Sequence, residues 1–431
     1  MRSPLASSRL RRILSAYTVN RLGTWFGLIA LMVAVFDNTH SAVAVAALLF
    51  AGQALPAFVV PAVVARVEAS VRGSELSGLY FFEAVTTAAL AVMLWHFWLP
   101  AVLLLAALDG TAALAASGLL RAEVARAARD QVEAQPESAR AHESLEDAAH
   151  EAERKANAAL NVGFSTTFVL GPAVAGAVVA AAGAPAALFI DVGSFLICGA
   201  LLLDLHPHVE EAEGNSVRAR LRAAWQHINE APTLRGLLLT YTIALAFLET
   251  AAPIEVTYAK ATLRVGDRGF GLLLTTWGAG AVLGSLVFAR SLRRPLGAML
   301  SAGGFAVGVA YIGFAAAPSL AIACIAALVG GIGNGVEVPS LISLVQRLTP
   351  QRLQGRMMGA VESLDALCLA IGLPLGGALV ALSSPRLAFV VVGLGATISA
   401  AALFRVSRGG PESPVAEEHL EDAARPATVL Q

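Results

Sequence analysis

Charged residues are scarce in this chain of 431 residues. Asp, Glu, Lys and Arg together account for 14% of it, whereas an average soluble domain has about 25%. Hydrophobic residues make up 57%, and the formal net charge of −1 says little, because a membrane protein is oriented by where its positive residues fall rather than by their sum. The composition therefore indicates a protein of the lipid bilayer and predicts no nucleic-acid partner.

Cysteine is also rare. Cys198, Cys324 and Cys368 lie apart in apolar segments without C-x-x-C spacing, so the sequence indicates neither a disulfide framework nor a zinc site. Enzyme motifs such as H-E-x-x-H and G-x-S-x-G are absent, and no glycine-rich stretch has a P-loop lysine. We therefore expect no metal, no cofactor and no enzymatic activity.

Long apolar runs dominate what is present. A helix that crosses a bilayer needs about 20 apolar residues, and twelve stretches approach or exceed that length. They fall at 20–37, 42–65, 77–95, 99–120, 158–181, 185–204, 236–256, 270–290, 296–315, 319–345, 357–382 and 387–406. The sequence thus predicts an all-α membrane protein with twelve transmembrane helices.

The arginines predict how these helices are oriented. Basic residues are concentrated in the loops on one side of the spans, the side that also holds both termini, and this side is normally cytoplasmic. Abundant Ala and Arg, with two lysines in the whole chain, favour a bacterial genome. We expect a bacterial cytoplasmic membrane protein with both termini in the cytoplasm. The exceptions to the charge pattern are Lys260, Arg264, Arg268 and Arg386.

Two segments of the chain resemble each other at a distance of 201 residues. FVLGPAVAGAVVA begins at Phe168 and LAIGLPLGGALVA begins at Leu369, and each falls in the fifth span of a group of six. Internal repeats of this kind are typical of transporters, whose binding site lies between the repeats. The pattern predicts two pseudo-symmetric six-helix bundles, at 1–204 and 236–406.

Three segments outside the spans are polar. The linker at 205–235 contains an amphipathic helical pattern that Pro232 ends, which suits the inner membrane surface. The insert at 122–157 is rich in Ala, Glu and Arg and predicts two short cytosolic helices broken at Pro136, most simply a solvated hairpin. The tail at 407–431, rich in Pro, Glu and Ala, predicts disorder.

Glycines recur at four-residue spacing inside several apolar spans. Small residues at this spacing let helix backbones approach each other closely in lipid, so we interpret them as packing residues rather than a nucleotide site. The residues assigned to helix packing are Gly171, Pro172, Gly176, Gly280, Gly284, Gly372 and Gly376.

The sequence resembles the major facilitator superfamily, and within it the bacterial exporters that include macrolide-efflux and enterobactin-export proteins. The resemblance is carried by four stretches and covers nearly the whole chain apart from the insert and the tail. They are NRLGTWFGLIALMVAVFD, NAALNVGFSTTFVLGPAVAG, GFGLLLTTWGAGAVLGSL and VQRLTPQRLQGRMMG. The resemblance implies a transporter of small molecules, and we expect it to be monomeric.

The chain departs from the superfamily after the second span. The family usually has Gly, an Asp-Arg pair and further arginines there, whereas this chain reads VARVEASVRGSE, with Glu68 and Arg72 as substitutes. The cytoplasmic gate that this motif is thought to latch is therefore in doubt. A second part of the gate network is expected at the inner end of span eleven, where Glu362 and Asp365 lie near Arg356.

Acidic residues inside the spans are the candidates for function. The resemblance implies that spans 1, 4, 7 and 10 line the central cavity, and each carries one acid. Burial disfavours the charged form of a carboxylic acid, so such an acid can be neutral in a dry site and ionise when the site is hydrated. The candidates for binding protons or substrate are Asp37, Asp109, Glu249 and Glu337.

Two further acids, Glu83 and Asp191, fall on spans 3 and 6, which the family places at the periphery. For these we expect ion pairs or hydrogen bonds between helices. For Asp109 the alternative to a functional role is a hydrogen bond to the backbone or to a neighbour such as Thr111.

The sequence as a whole predicts a secondary transporter that exports a small lipophilic or amphiphilic compound, such as a drug, a siderophore or a metabolite, by proton antiport through alternating access. Three alternatives stay open: uptake, sodium coupling, and a transporter-like sensor that signals through the insert at 122–157. The identity of the substrate cannot be read from the sequence.

Overall fold

A computed structural model of the chain describes residues 8–60, 75–133, 145–203, 225–291, 294–350 and 353–408. Within these ranges the chain is helical apart from short connections and contains no β-strand. The predicted all-α class is confirmed.

The helices follow the apolar runs of the sequence. In chain order they are α1 (Ser8–Thr39), α2 (Ala42–Val60), α3 (Glu75–Met93), α4 (Leu99–Glu133), α5 (Leu145–Ala182), α6 (Ala184–Leu201), α7 (Pro232–Thr262), α8 (Gly266–Arg290), α9 (Leu296–Ala316), α10 (Leu320–Arg347), α11 (Gln354–Leu382) and α12 (Pro385–Arg408). Two of them are not regular throughout. A π-helical turn occupies Phe50–Ala54 of α2 and another occupies Tyr258–Thr262 of α7, which also has a turn at Glu249 and Thr250.

Eleven helices in the described part of the chain are long and apolar enough to cross a membrane. Their outer faces carry large apolar side chains that are more than half exposed, among them Val85, Ile325 and Ile398. The predicted span at 158–181 falls in α5, whose apolar part, Thr166–Ala182, is shorter than the other spans. The protein is therefore a multi-pass membrane protein, and the predicted count of twelve spans is not confirmed.

The insert at 122–157 differs from the prediction of two separate short helices. Its first part continues α4 as far as Glu133, and its last part is the beginning of α5. Neither Gly nor Pro occurs between Leu120 and Glu133, so nothing ends α4 at the end of its apolar run. Pro136, the predicted break, lies outside the described residues.

The first part of the insert is also packed against α1, so it is not a solvated hairpin. Arg9 donates hydrogen bonds to Glu123 and, from Nη1 at 2.7 Å, to Asp130 Oδ2. The Glu123 side chain is buried, and the arginine beside its Oε1 offsets part of the lost hydration, while its Oε2 has no hydrogen-bond partner among the described residues. A hydrophobic core joins the two helices and includes Leu10, Ile13, Val124, Ala127 and Ala128.

The linker is helical at 225–230, and this segment ends at Ala231. Pro232 follows as the first residue of α7, a position where its missing N–H group costs nothing. The sequence predicted that the amphipathic linker helix ends at Pro232, and in the structure the same residue begins α7. Residues 204–224 of the linker and 409–431 of the tail lie outside the described residues.

Contacts divide the chain into two compact units. Unit 1 comprises Met1–Glu210, Ala252–Gly278 and Leu373–Pro385, and the remainder of the chain forms unit 2. Two segments that follow the linker, the end of α7 with the first half of α8 and the end of α11, thus pack with the first part of the chain. The two predicted bundles, with boundaries at 204, 236 and 406, remain a prediction.

In unit 1 the glycines of the internal repeat lie at close helix contacts. A Cβ atom added to Gly176 of α5 would meet the backbone of Gly271 of α8, and one added to Gly271 would meet the carbonyl oxygen of Pro172. A Cβ atom added to Gly377 of α11 would meet the backbone of Val43 of α2. The positions that the repeat equates, 176 and 377, therefore make the same kind of contact.

In unit 2 two predicted packing glycines lie between α8 and α10. A Cβ atom on Gly280 would meet the backbone of Leu328 and Ile332, and one on Gly284 would meet that of Ile332 and Gly335. These are contacts between backbones, which do not move aside as the end of a flexible side chain can.

The remaining packing candidates lie on α5 and α11. Gly171 faces the side chain of Trp25 of α1, and Gly372 faces Glu249 of α7. Gly376 is buried on α11. Thus α5 approaches α1 at Gly171, and α11 approaches α7 at Gly372, the glycine that the repeat makes equivalent.

We predict that Gly284→Val lowers the melting temperature of the detergent-purified protein by several degrees, because the added carbons would separate α8 from α10. Gly78→Ala is the matched control, since Gly78 is an exposed helical glycine with no atom within 4 Å of the added Cβ. It should leave the melting temperature unchanged or raise it slightly, because Ala favours helix more than Gly. Equal melting temperatures for Gly284→Val and wild type would contradict the close contact.

Candidate functional site

A cavity of about 550 Å³ lies inside unit 1 and is lined by residues of α1 to α6. Its volume falls in the range of small-molecule sites. Much of the wall is apolar, and it includes two aromatic pairs, Trp25 with Phe168 and Tyr80 with Phe195. The polar side chains on the wall include those of Asn20, Arg21, Gln53, Thr87, Asp109 and Asp191.

Close backbone contact between α2 and α4 shapes one side of this cavity. The π-helical turn of α2 contains Gly52, and a Cβ atom on Gly110 of α4 would meet the carbonyl group of Gly52. Asp109 immediately precedes Gly110, so the same contact fixes the position of this acid on the wall.

Asp109 is partly buried and accepts two hydrogen bonds from α3. The Thr86 hydroxyl donates to Asp109 Oδ1 at 2.6 Å, and the Thr87 hydroxyl donates to the same oxygen at 3.0 Å. Thr111, the sequence neighbour considered as a partner, instead donates to the carbonyl oxygen of Ala107 at 2.6 Å. Two donors on one oxygen stabilise the charged carboxylate, while the cavity keeps Asp109 within reach of a ligand.

Asp191 also lines the cavity, whereas the sequence had placed it at the periphery. It is 3% exposed, and the hydroxyl of Ser194, three residues further along α6, donates to its Oδ1 at 3.1 Å. Its carboxylate lies against α1 at Gly23 and Gly27, where any Cβ atom would meet its oxygens. These two glycines, four apart in NRLGTWFG, were a signal for this contact that sequence reasoning did not use.

Glu83 does not have the interhelical partner that the sequence predicted. It lies on α3 with 0% of its surface exposed, and neither carboxyl oxygen has a hydrogen-bond partner in the described ranges. It is close enough to Asp109 and Asp191 for their charges to act on it. Glu83, Asp109 and Asp191 therefore form a group of neighbouring acids, one each from α3, α4 and α6, and two of the three reach the cavity.

Unit 2 holds its own group of acids around Tyr241 of α7. Glu337 of α10 is 6% exposed and shares with Tyr241 a small cavity of about 10 Å³, the size of one water molecule. Glu249 lies at the turn that interrupts α7, and Asp365 of α11 is close enough for its charge to act on both Glu249 and Tyr241. The structure thus places Asp37 and Asp109 in unit 1 and Glu249 and Glu337 in unit 2.

The predicted gate network is not assembled by the described side chains. Glu68 and Arg72 lie outside the described residues, and so does the side chain of Arg356, whose backbone is in α11. Glu362 and Asp365 are exposed on α11, and neither forms an ion pair with a described partner.

Asp37 forms an ion pair that the sequence did not predict. Lys260 Nζ lies 2.6 Å from Asp37 Oδ1 and 2.6 Å from Asp267 Oδ1, so one cation joins two carboxylates from α1 and α8. Lys260 is 12% exposed, whereas Asp37 is 50% exposed. Sequence reasoning had noted Lys260 as an exception to the charge pattern, and this pairing explains it.

Comparison with known proteins shows what the chain is similar to. Residues 237–430 match the family model of the Major Facilitator Superfamily. The crystal structure of the nucleoside transporter NupG is similar over 94% of this chain and 100% of that chain, with a TM-score of 0.69 and 12% sequence identity. The later part of the chain thus matches this superfamily, and the chain shares the fold of a solved transporter.

Other relatives share this fold or part of this sequence. A bacterial homologue of the iron transporter ferroportin, solved in an inward-facing state, has a TM-score of 0.66 at 17% identity and covers 93% of this chain and 98% of that chain. An uncharacterized MFS-type transporter, YfiS of Bacillus subtilis (strain 168), is 24% identical over 237 residues, which are 52% of this chain and 57% of the relative. The match thus spans little more than half of that relative. Because the structural relatives are named for a nucleoside and for iron, this fold does not fix the substrate.

We predict that Lys260→Gln lowers the melting temperature by a few degrees, because it leaves two neighbouring carboxylates without their cation. Lys260→Arg keeps the charge and should retain most of the stability. Arg290→Gln is a control, since Arg290 is exposed at the end of α8. In the double variant Asp37→Asn with Lys260→Gln, the two losses should be less than additive, and full additivity would show that the pair contributes nothing.

Proposed function

We propose that the chain is a secondary transporter of the bacterial cytoplasmic membrane, built from twelve transmembrane helices in two six-helix repeats, with both termini in the cytoplasm. The paired glycine contacts support the repeat, because Gly176 and Gly377 join α5 to α8 and α11 to α2. In a two-fold repeat of six helices, α5 corresponds to α11 and α8 corresponds to α2, so the two contacts are equivalent. The concentration of basic residues on the side of the termini supports the orientation.

Its function is the export of a small lipophilic or amphiphilic compound in exchange for protons, through alternating access. The observation that carries this proposal is Asp109 on the wall of the 550 Å³ cavity, which is otherwise largely apolar and aromatic. Apolar walls with few polar groups suit a lipophilic molecule, and an acid among them can select for charge.

Asp109 supplies the coupling between proton and substrate. Its two threonine donors favour the carboxylate, while the surrounding apolar wall favours the neutral acid, so a small change in hydration shifts the balance. A substrate that enters the cavity and a proton that binds Asp109 then compete. Because the two ligands favour different conformations, the proton gradient drives the cycle.

The test measures accumulation of ethidium and of a neutral dye in everted membrane vesicles that contain the protein. Wild type should accumulate at least one of them when the vesicles are energised, and a protonophore should abolish the signal. Asp109→Asn should reduce energised accumulation at least tenfold without loss of folded protein, and Asp109→Glu should retain part of it. Glu230→Gln, an exposed acid of the linker, is the control and should behave as wild type. Unchanged accumulation by Asp109→Asn would remove this residue from the mechanism.

A further inference from the structure

Glu83 is the buried acid that the proposed function leaves without a role. None of its surface is exposed, and within the part of the chain that the structure describes neither carboxyl oxygen meets a hydrogen-bond donor or acceptor. A charged carboxylate in this place loses its hydration and gains nothing in return, whereas the neutral acid avoids most of that penalty. The surroundings of Glu83 therefore favour the acid with its proton bound.

The groups that face Glu83 strengthen this conclusion. Asp109 approaches from α4, Asp191 and Cys198 approach from α6, and Tyr80 lies one turn away on α3. None of these groups is a cation, so each negative charge among them makes a further one at Glu83 less favourable. Neighbouring acids of this kind share protons and titrate as a group.

Asp109 differs from Glu83 in being equipped to carry the charge. It has two hydroxyl donors and borders the cavity, while Glu83 has neither. Thr86 connects the two sites, because it lies one helical turn after Glu83 and donates to Asp109 Oδ1. Asp109 is thus accessible to a ligand in the cavity, whereas Glu83 is buried and does not line the cavity.

We propose that Glu83 is a second proton-binding site, which holds its proton in the conformation described here and exchanges it with the cavity through Asp109. In the exchange the O–H bond of Glu83 breaks and an O–H bond forms on the Asp109 carboxylate, so the pair keeps one negative charge throughout. This assignment deepens the proposed function and rests on it for its place in transport. It gives unit 1 capacity for two protons.

Infrared spectroscopy of the purified protein tests whether Glu83 is protonated. Near neutral pH most of the acids are carboxylates, and a protonated carboxylic acid absorbs at a separate, higher C=O stretching frequency. Glu83→Gln should remove one such band, while Asp37→Asn should remove none, because Asp37 is ion-paired with Lys260. Identical spectra of Glu83→Gln and wild type in this region would overturn the proposal.

The route of exchange is tested by transfer into D₂O, which lowers the frequency of the Glu83 band as deuterium replaces the proton. Asp109→Asn should slow this shift at least tenfold, because the stored proton then has no acceptor at the cavity. Asp37→Asn should leave the rate unchanged. An unchanged rate in Asp109→Asn would overturn the route through this residue.

Two further results keep this proposal separate from the proposed function. If Glu83→Gln removes the band but energised vesicles show no proton-driven accumulation, the proton site stands and the transport proposal fails. If accumulation is proton-driven but the band persists, the proposal for Glu83 fails. Should Glu83→Gln not fold, a second measurement replaces it, with glutamate labelled with ¹³C at the carboxyl group in a background that carries both Glu249→Gln and Glu337→Gln. A protonated glutamate band there supports the assignment, and its absence contradicts it.

Discussion

Burial of carboxylic acids is the constraint around which this structure is arranged. A carboxylate removed from water must be given a cation, hydrogen-bond donors or a proton, and each described acid cluster uses these means differently. Asp109 accepts hydrogen bonds from two hydroxyl groups, and Asp191 accepts one from a serine and fits against two glycines. Among the described residues, Glu83 has neither a hydrogen-bond donor nor a paired cation. A membrane protein that kept such groups for stability alone would gain more from apolar side chains of the same size. The proposed proton binding accounts for why such groups are kept.

Glycine makes these positions possible. The carboxylate of Asp191 fits against α1 because Gly23 and Gly27 have no side chain, and Asp109 lies beside a backbone contact that requires Gly110. Small residues bring helices together in lipid, where the hydrophobic effect does not drive association. In this chain they also determine where an acid can lie. The same short segments of sequence therefore contain both the glycines that helix packing requires and the positions beside which the acids lie.

The sequence predicted the helices well and their partners poorly. Apolar runs depend on local composition, so the all-α class and the places of the spans could be read directly. Asp109 was found as a candidate because an acid in an apolar run is conspicuous, but Thr86 is 23 residues away and on another helix. The burial of Glu123 beside Arg9 was missed for the same reason, since a helix rich in Ala, Glu and Arg has the same composition whether it is solvated or packed. Contacts between distant residues depend on tertiary packing, which composition and periodicity do not specify.

The exceptions to the charge pattern illustrate how such contacts change an interpretation. Four basic residues lie on the side that the pattern leaves almost free of positive charge, and for two of them the structure gives a local reason. Lys260 is paired with two carboxylates, and Arg386 donates to two backbone carbonyl oxygens near the end of α9, at 2.6 and 2.9 Å. Each therefore satisfies a requirement of the folded protein where it stands. Local packing thus accounts for these two positions, while the orientation of the chain remains a prediction from the distribution of its basic residues.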